Sequence, residues 1–583
     1  MDKMKMESQN MTEQNVEKIA ALFPNCITET KDEHGKPKKA VNFELLRQML
    51  SDEVIDGDEA YELTWVGKKA SIVEANKPIR KTLRPCKKES VNWDNTGNLY
   101  IEGDNLEVLK LMQESYLGKI KMIFIDPPYN TGNDFVYPDS FIMNSDEYDE
   151  GIGYFNEDGN VNYDRENSAA AGKYHSDWCS MMYSRLLLAR NLLSDDGMIF
   201  ISIDYNETAA LKLIMDEVFG SDNYQREIIW RIGWLSGYKT VAPNFIRNHD
   251  TILFYSKNAS KMKFIKKYLT NDTFKPLVKK EPKITAKMAE LGLDKSSQQE
   301  LLEYINHGNR PEKYPIEDTW NSNEYDDLNS IAIVSFSGEK ISKILGIDQD
   351  FKGQKSVAML KRILMSSTEN EDIVLDFFSG TASTAHAVMS LNVEDGGNRK
   401  FIMVQLPEPC KEDSEAYKAG YKTISDIGKE RIRRVAKRIA DDNPSARFDG
   451  GFRVLKLDDT NMKDVYYAAD EYDQGMLKGL ESNIKDDRTD LDLLFGCLLE
   501  WGLPLSLPYT SEQIDGCTVH TYNGGDLIAC FNQNVPESVI KIIAKRQPLR
   551  VVFRDSSFMN SPAKINIGEI FKLMAPDTRI KVI

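Results

Sequence analysis

Short apolar runs alternate with helical stretches from Asn98 onward, and this alternation leaves the chain few architectures. Leu99–Ile101, Lys121–Ile125, Met198–Ile203, Asp372–Phe378 and Lys400–Gln405 read as strands of parallel-sheet type, too uniformly apolar to have a solvated face. Helical patterns lie between them. Gly103-Asp104 opens one through Leu117, with Asp104 and Glu107 at capping-box spacing and Gly118 as its stop. His175-Ser176-Asp177 caps a second, Trp178–Leu193, which Asp195-Asp196-Gly197 ends. Ser356–Met365 is a third, and a small-residue helix starts near Ser383. Ser425–Asp441 carries Ile427, Ile432, Val435 and Ile439 on one face. The expected fold is therefore α/β, a doubly wound, mostly parallel sheet of Rossmann-like type, whose ligands bind at the carboxyl ends of strands.

Two of those strand ends carry unusual chemistry. Asp126-Pro127-Pro128-Tyr129 follows the run ending at Ile125. It places an acceptor carboxylate, a proline carbonyl and an aromatic face at one point, on a turn stiffened by two residues of fixed φ. An exocyclic amino group on a planar base needs those three features: two acceptors for its N–H hydrogens and a ring to stack on. The plain alternative is an ordinary Pro-rich turn. Asp376-Phe377-Phe378-Ser379-Gly380-Thr381-Ala382-Ser383-Thr384 is a strand-to-helix turn of small residues, where a ligand can approach the backbone and meet N–H groups at a helix start.

At 583 residues the chain needs several domains. Its composition is 41% hydrophobic and 28% charged, with no long uncharged apolar run, which speaks against a membrane span. The opening residues lack the apolar stretch of a signal peptide. Seven scattered cysteines without Cys-x-x-Cys spacing point to reduced thiols in the cytoplasm and to no metal site. A net charge of −17 opposes nucleic-acid binding only if it is evenly spread. Between Arg226 and Lys283 there are thirteen Lys/Arg against four Asp/Glu, interleaved with Trp230, Trp234, Tyr238, Phe245, Phe254, Tyr255, Phe264 and Tyr268. Arg231, Lys239, Arg247, Lys263, Lys266 and Lys267 are the candidate phosphate contacts there, with a solvated basic face as the plain alternative.

Taken together, these motifs resemble the S-adenosylmethionine-dependent amino-methyltransferases of DNA, in the permuted order that places Asp-Pro-Pro-Tyr before the cofactor turn. Asn98–Met112, Ile125–Gly132, Lys173–Trp178, Asn248–Asn258 and Ile424–Arg434 bring the resemblance closer to modification (Mod) subunits of type III restriction–modification systems. The resemblance implies that Asp126 and the Pro127 carbonyl hold a target amino group, that Pro128 stiffens the turn, and that Tyr129 stacks on a flipped base. It places Asp376, Phe378, Gly380, Thr381 and Ser383 around the methionine part of S-adenosylmethionine, Asp104 near its adenosine, and Lys355 along the same pocket. Ala382 stands where the family has a second glycine. Gln405 replaces the usual ribose-binding carboxylate, with Glu408 as the other candidate. The implied activity is adenine-N6 methylation of duplex DNA. Cytosine-N4 methylation, a specificity subunit with little methylation of its own, and RNA or protein amide methylation are the alternatives. A homodimer and a helicase–nuclease (Res) partner are also implied.

The expected organisation is an N-terminal extension (1–90), the catalytic half of the core (91–225), a target-recognition region (226–350), the cofactor half (351–449) and a C-terminal α+β domain (450–583). Leu491–Trp501 in the last is a candidate for subunit contacts. His175 and Trp178 read as a cap and a core anchor rather than catalytic groups. Asp204 reads as a turn residue, and the helix near 425–441 as an outer helix or a DNA-facing one.

Overall fold

A computed structural model of the chain describes residues 2–4, 6–31, 37–43, 46, 63–131, 174–231, 245, 247, 249–270, 278, 281–308, 312–320, 340–347, 354–463, 483–558 and 561–583. Its centre is a ten-stranded sheet. In chain order the strands are β1 (Lys81–Pro85), β2 (Leu99–Glu102), β3 (Ile120–Ile125), β4 (Leu193–Ile203), β5 (Tyr224–Arg231), β6 (His249–Ser256), β7 (Thr319–Trp320), β8 (Ile373–Asp376), β9 (Lys400–Gln405) and β10 (Arg453–Asp459). Across the sheet the order is β7-β5-β6-β4-β3-β8-β9-β2-β10-β1. The six strands from β4 to β10 in that order run parallel. β6 is antiparallel to β4 and β5, and β1 is antiparallel to β10.

Alternation along the strands builds two cores. Ile123 and Ile125 of β3 point to one face, where they meet α1 (Asn105–Tyr116), α2 (Tyr174–Leu192) and α3 (Thr208–Phe219). Met122 and Phe124 point to the other, against α4 (Val357–Ser367), α5 (Ser383–Asp395) and α6 (Ile424–Asp442). Continuous apolar runs are thus explained by two buried faces rather than by one. Ile427, Ile432, Val435 and Ile439 of α6 are all buried, as their spacing predicts.

Several local expectations need correction. The α2 helix starts at Tyr174, so His175 lies in its first turn, and it ends at Leu192. Asp195-Asp196-Gly197 lies inside β4, which begins at Leu193, in the irregular stretch between the Leu193–Ile120 and Met198–Met122 pairs with β3. The sheet also runs past the boundaries expected at 90 and 450, because β1 and β10 both join it. The basic segment begins as core: β5 and β6 are sheet strands, and Trp230, Phe254 and Tyr255 are buried packing residues.

A second, mixed sheet holds Tyr509–Ile514, Cys517–Tyr522, Leu527–Cys530, Arg550–Phe553 and Arg579–Val582. Asp2–Lys3 pairs in parallel with its last strand, so the first residues of the chain complete the final sheet. No helix among the described residues is long and apolar enough to cross a membrane.

Candidate active site

The chain leaves β3 toward β4 on one side and later returns to β8 on the other. β3 and β8 are adjacent and parallel, with Val374 opposite Met122 and Leu375 opposite Ile123. Their carboxyl ends therefore flank the point where the winding reverses, the place where open α/β sheets bind ligands. The Asp126 turn and the Asp376 turn, 250 residues apart in sequence, emerge side by side there.

Lys355 is paired with the first of them. Its ammonium lies 2.9 Å from Asp126 Oδ1 and donates to Tyr129 Oη at 2.6 Å. The same ammonium sits 4.9 Å from the Tyr129 ring centroid and 5.6 Å from that of Trp230. Tyr129 Oη also pairs with Ser202 Oγ at 2.9 Å, at the end of β4. Burial pushes the Asp126 carboxyl above its ordinary range, and the Lys355 charge opposes that rise. Burial works against the Lys355 charge too, but Asp126 and Tyr129 outweigh it and hold the ammonium more firmly protonated than usual. Trp178 Nε1 donates to the Pro128 carbonyl at 2.8 Å, so Trp178 anchors the catalytic turn as well as the core.

On the cofactor side, Asp376 Oδ1 accepts the Phe378 N–H at 3.1 Å and Oδ2 accepts the Thr384 hydroxyl at 2.6 Å. Burial nevertheless raises the Asp376 carboxyl to about 7. Gly380 adopts φ +49°, with open space where a Cβ would stand. Ala382 has φ 59° and ψ 43°, a left-handed conformation that glycine adopts without strain. Arg431, buried on α6, donates to the Thr381 hydroxyl at 3.0 Å and to Ser383 Oγ at 2.8 Å, bracing the turn. The Phe378 ring is packed in the core on the α1–α2 face.

Asp104 caps α1 by accepting the Glu107 N–H, and its other oxygen lies 3.4 Å from Arg185 Nη2. Arg185 Nε donates to Asn105 Oδ1 at 2.5 Å, and Asn105 Nδ2 donates to the Phe377 carbonyl at 2.7 Å. That chain of bonds ties the Asp104 end to the Asp376 turn. The choice between Gln405 and Glu408 also becomes sharper. Gln405 is committed to the scaffold, accepting the Gly380 N–H at 2.6 Å and donating to the Leu406 carbonyl at 3.2 Å. Glu408 has no polar side-chain partner among the described residues, and burial raises its carboxyl above the ordinary range.

The candidate phosphate contacts are not brought to one surface. Arg247 sits at the catalytic end of the sheet, 3.0 Å from Asp250 Oδ1 and 3.8 Å from Asp204 Oδ2, with its guanidinium 4.8 Å from the Tyr205 ring. Arg231, at the end of β5, pairs in register with His249 at that same end. Lys263 lies 3.9 Å from Asp196, near the opposite end of β4, and Lys266 lies over the Tyr268 ring. Lys267 lines a cavity of about 640 Å³ with Trp320 and Arg362. Lys239, with Trp234 and Tyr238, lies outside the described residues. Residues that sequence reasoning passed over include Asn130, Ser202, Glu207, Arg185 and Arg431. Asn130 follows the Pro-Pro-Tyr motif directly, whereas nothing in the sequence around Glu207 signals a site.

Comparison with known proteins agrees with this geometry. Residues 120–418 match the N6/N4 methyltransferase family described as DNA methylase. The type III restriction–modification enzyme StyLTI Mod subunit of Salmonella typhimurium is 32% identical over 445 residues, 70% of this chain and 67% of its own. The EcoP15I Mod subunit of Escherichia coli is 28% identical over 653 residues, spanning 97% of this chain and 96% of its own. The crystal structure of the M1.HpyAVI–SAM complex matches with a TM-score of 0.29 at 16% identity, over 57% of this chain and 98% of that one, and carries no weight in the argument. With a paired Asp-Pro-Pro-Tyr turn and small-residue turn at one switch point, and relatives along nearly its whole length, the chain belongs to the DNA methylase family, among the modification subunits of type III restriction–modification enzymes.

Proposed function

We propose that the protein transfers a methyl group from S-adenosylmethionine to adenine N6 at a specific site in duplex DNA, as the recognition and modification subunit of a type III system. The observation that carries this reading is the adjacency of the Asp126 and Asp376 turns at the carboxyl ends of β3 and β8, with Lys355 paired to Asp126 and Tyr129 of the first. The Asp126 carboxylate and the Pro127 carbonyl supply two acceptors for an exocyclic amino group, and the Tyr129 ring supplies a stacking face. Accepting both N–H bonds directs the nitrogen lone pair out of the base plane. The Lys355 charge opposes the effect of burial and favours the ionised form of Asp126, which accepts rather than donates. Asp126 is also the nearest carboxylate to take the proton that the alkylated nitrogen sheds.

The residues of the second turn fit S-adenosylmethionine. Gly380 leaves open space beside the backbone, and Glu408 offers a carboxylate with no polar side-chain partner among the described residues, suited to a ribose diol. Asp104 and Asp376 suit the cationic and hydroxyl groups, and Lys355 suits a carboxylate. When bound, S-adenosylmethionine supplies an electrophilic methyl group on a sulfonium. Of the two exocyclic amines, adenine N6 is favoured by aspartate at the first position of the motif, as the family pattern implies.

The same family membership supports a homodimer working with a helicase–nuclease subunit in the cytoplasm. Arg231 and Arg247, at the catalytic end of the sheet, are the first candidates for DNA contact among the described residues.

The test is transfer of labelled methyl from S-adenosylmethionine to long duplex DNA, with modified bases mapped and Asp126→Ala run beside the intact protein. N6-methyladenine at one recurring asymmetric site, absent with the variant, is the expected result. N4-methylcytosine would correct the base. Sequence-specific binding without transfer would replace the enzyme by a specificity subunit.

A further inference from the structure

The residue after the catalytic motif, Asn130, is buried and holds φ 60°, a left-handed conformation that few residues bearing a Cβ adopt and that asparagine tolerates better than most. Surrounding contacts hold it there. Asn130 Nδ2 donates to Glu207 Oε1 at 2.5 Å, and the Asn130 carbonyl accepts the Tyr174 hydroxyl. The same Glu207 oxygen lies 2.6 Å from His175 Nδ1. The Glu207 side chain is only 1% exposed, and it stands immediately before α3 on the rigid scaffold next to β4. A buried carboxylate is costly unless paired, so its retention here calls for a role. The cluster gives one: Glu207 Oε1 is met both by Asn130, directly after the catalytic turn, and by His175, in the first turn of α2. Both contacts fall on Oε1, while Oε2 is buried without a hydrogen-bond partner among the described residues, so an amide at 207 could keep both contacts through its oxygen whereas removal of the side chain would lose them.

We infer that Glu207 is a positioning residue for methyl transfer, clasping Asn130 and His175 so that the Asp126–Tyr129 turn holds its acceptors in the reactive orientation. Glu207 does not touch the reacting atoms; it acts through the backbone of Asn130, while Trp178 fixes the Pro128 carbonyl from the other side. Displacing a catalytic acceptor by about 1 Å costs on the order of 100-fold in rate. The loss should fall on turnover rather than on cofactor binding, because the cofactor turn is braced separately through Arg431 and Gln405.

This inference rests on the methyl-transfer reading. The experiment compares wild type, Glu207→Ala, Glu207→Gln, Asn130→Ala and the Glu207→Ala/Asn130→Ala double variant, measuring kcat on site-bearing duplex and S-adenosylmethionine Kd by calorimetry. Glu207→Ala is expected to lower kcat by roughly 10- to 100-fold with Kd within about threefold of wild type, and Glu207→Gln, which keeps an acceptor oxygen, should recover most of that loss. The double variant should be no slower than the worse single variant, because both changes undo one clasp. Retained kcat in Glu207→Ala, loss of cofactor affinity in step with kcat, or losses that multiply in the double variant would each overturn the inference while leaving the enzyme reading intact. Wild-type protein without methyl transfer would overturn both.

Discussion

Replacing Lys355 by methionine tests whether this lysine keeps the catalytic carboxylate charged. Its ammonium is 2.9 Å from Asp126 Oδ1. At that distance two unit charges attract by about 6 kcal/mol at an effective dielectric near 20, and by about 1.4 kcal/mol in water. The side chains are 8% and 22% exposed, so the pair lies between those limits. Removing the ammonium should then withdraw roughly 2–4 kcal/mol from the ionised form of Asp126, or about 1.5–3 pKa units. Burial already pushes this carboxyl upward, and the lysine is what opposes it. The sign follows directly. Protonated Asp126 donates where it must accept, so activity falls as pH drops through its pKa, and that acid limb moves to higher pH in the variant. The assay is kcat for methyl transfer between about pH 5.5 and 9 at saturating S-adenosylmethionine, which removes any effect on cofactor affinity. Lys355→Arg, which keeps the charge, should leave the limb close to the wild-type position. An acid limb of Lys355→Met that coincides with wild type would refute the reasoning, whatever the change in absolute rate.

Other outcomes follow from the same geometry. Glu408→Gln should weaken S-adenosylmethionine binding about tenfold by loss of a charged hydrogen bond, measured by calorimetry; unchanged affinity would remove Glu408 from the cofactor site. Ala382→Gly should be neutral or stabilising by up to about 1 kcal/mol in urea melts, because glycine takes the left-handed conformation freely, whereas the β-branched Ala382→Val should cost more than about 2 kcal/mol. The Asp376 carboxyl rises from 3.8 to about 7 on folding, so the native state holds a proton there that the unfolded chain has lost. Its contribution to stability is present below about pH 4 and declines until about pH 7; Asp376→Asn should flatten that part of the dependence in denaturant melts at pH 5 and 8.

The arrangement of short apolar strands and capped helices was legible in the sequence because each depends on local pattern. β9 matches its expected span, Lys400–Gln405, and the buried stripe of α6 follows its spacing. The Asp-Pro-Pro-Tyr motif was legible for the same reason: its stiffness and its acceptors belong to four consecutive residues. Local pattern misled where tertiary pairing was stronger. Asp195-Asp196-Gly197 has the composition of a stop, yet β4 already starts at Leu193, which pairs with Ile120 of β3. Trp230 and Tyr255 have the composition of a nucleic-acid surface, yet sheet pairing buries them.

What the sequence determined by itself was the parallel α/β class and the two special turns, since periodicity, caps and proline geometry act over a few residues. Only the tertiary structure decided that those turns meet, that Lys355 pairs with Asp126, that Gln405 is spent on the scaffold, and that Glu207 grips Asn130. Those contacts join segments separated by up to hundreds of residues. Their energies come from burial and paired charges that do not exist until the sheet has assembled, so no local pattern encodes them.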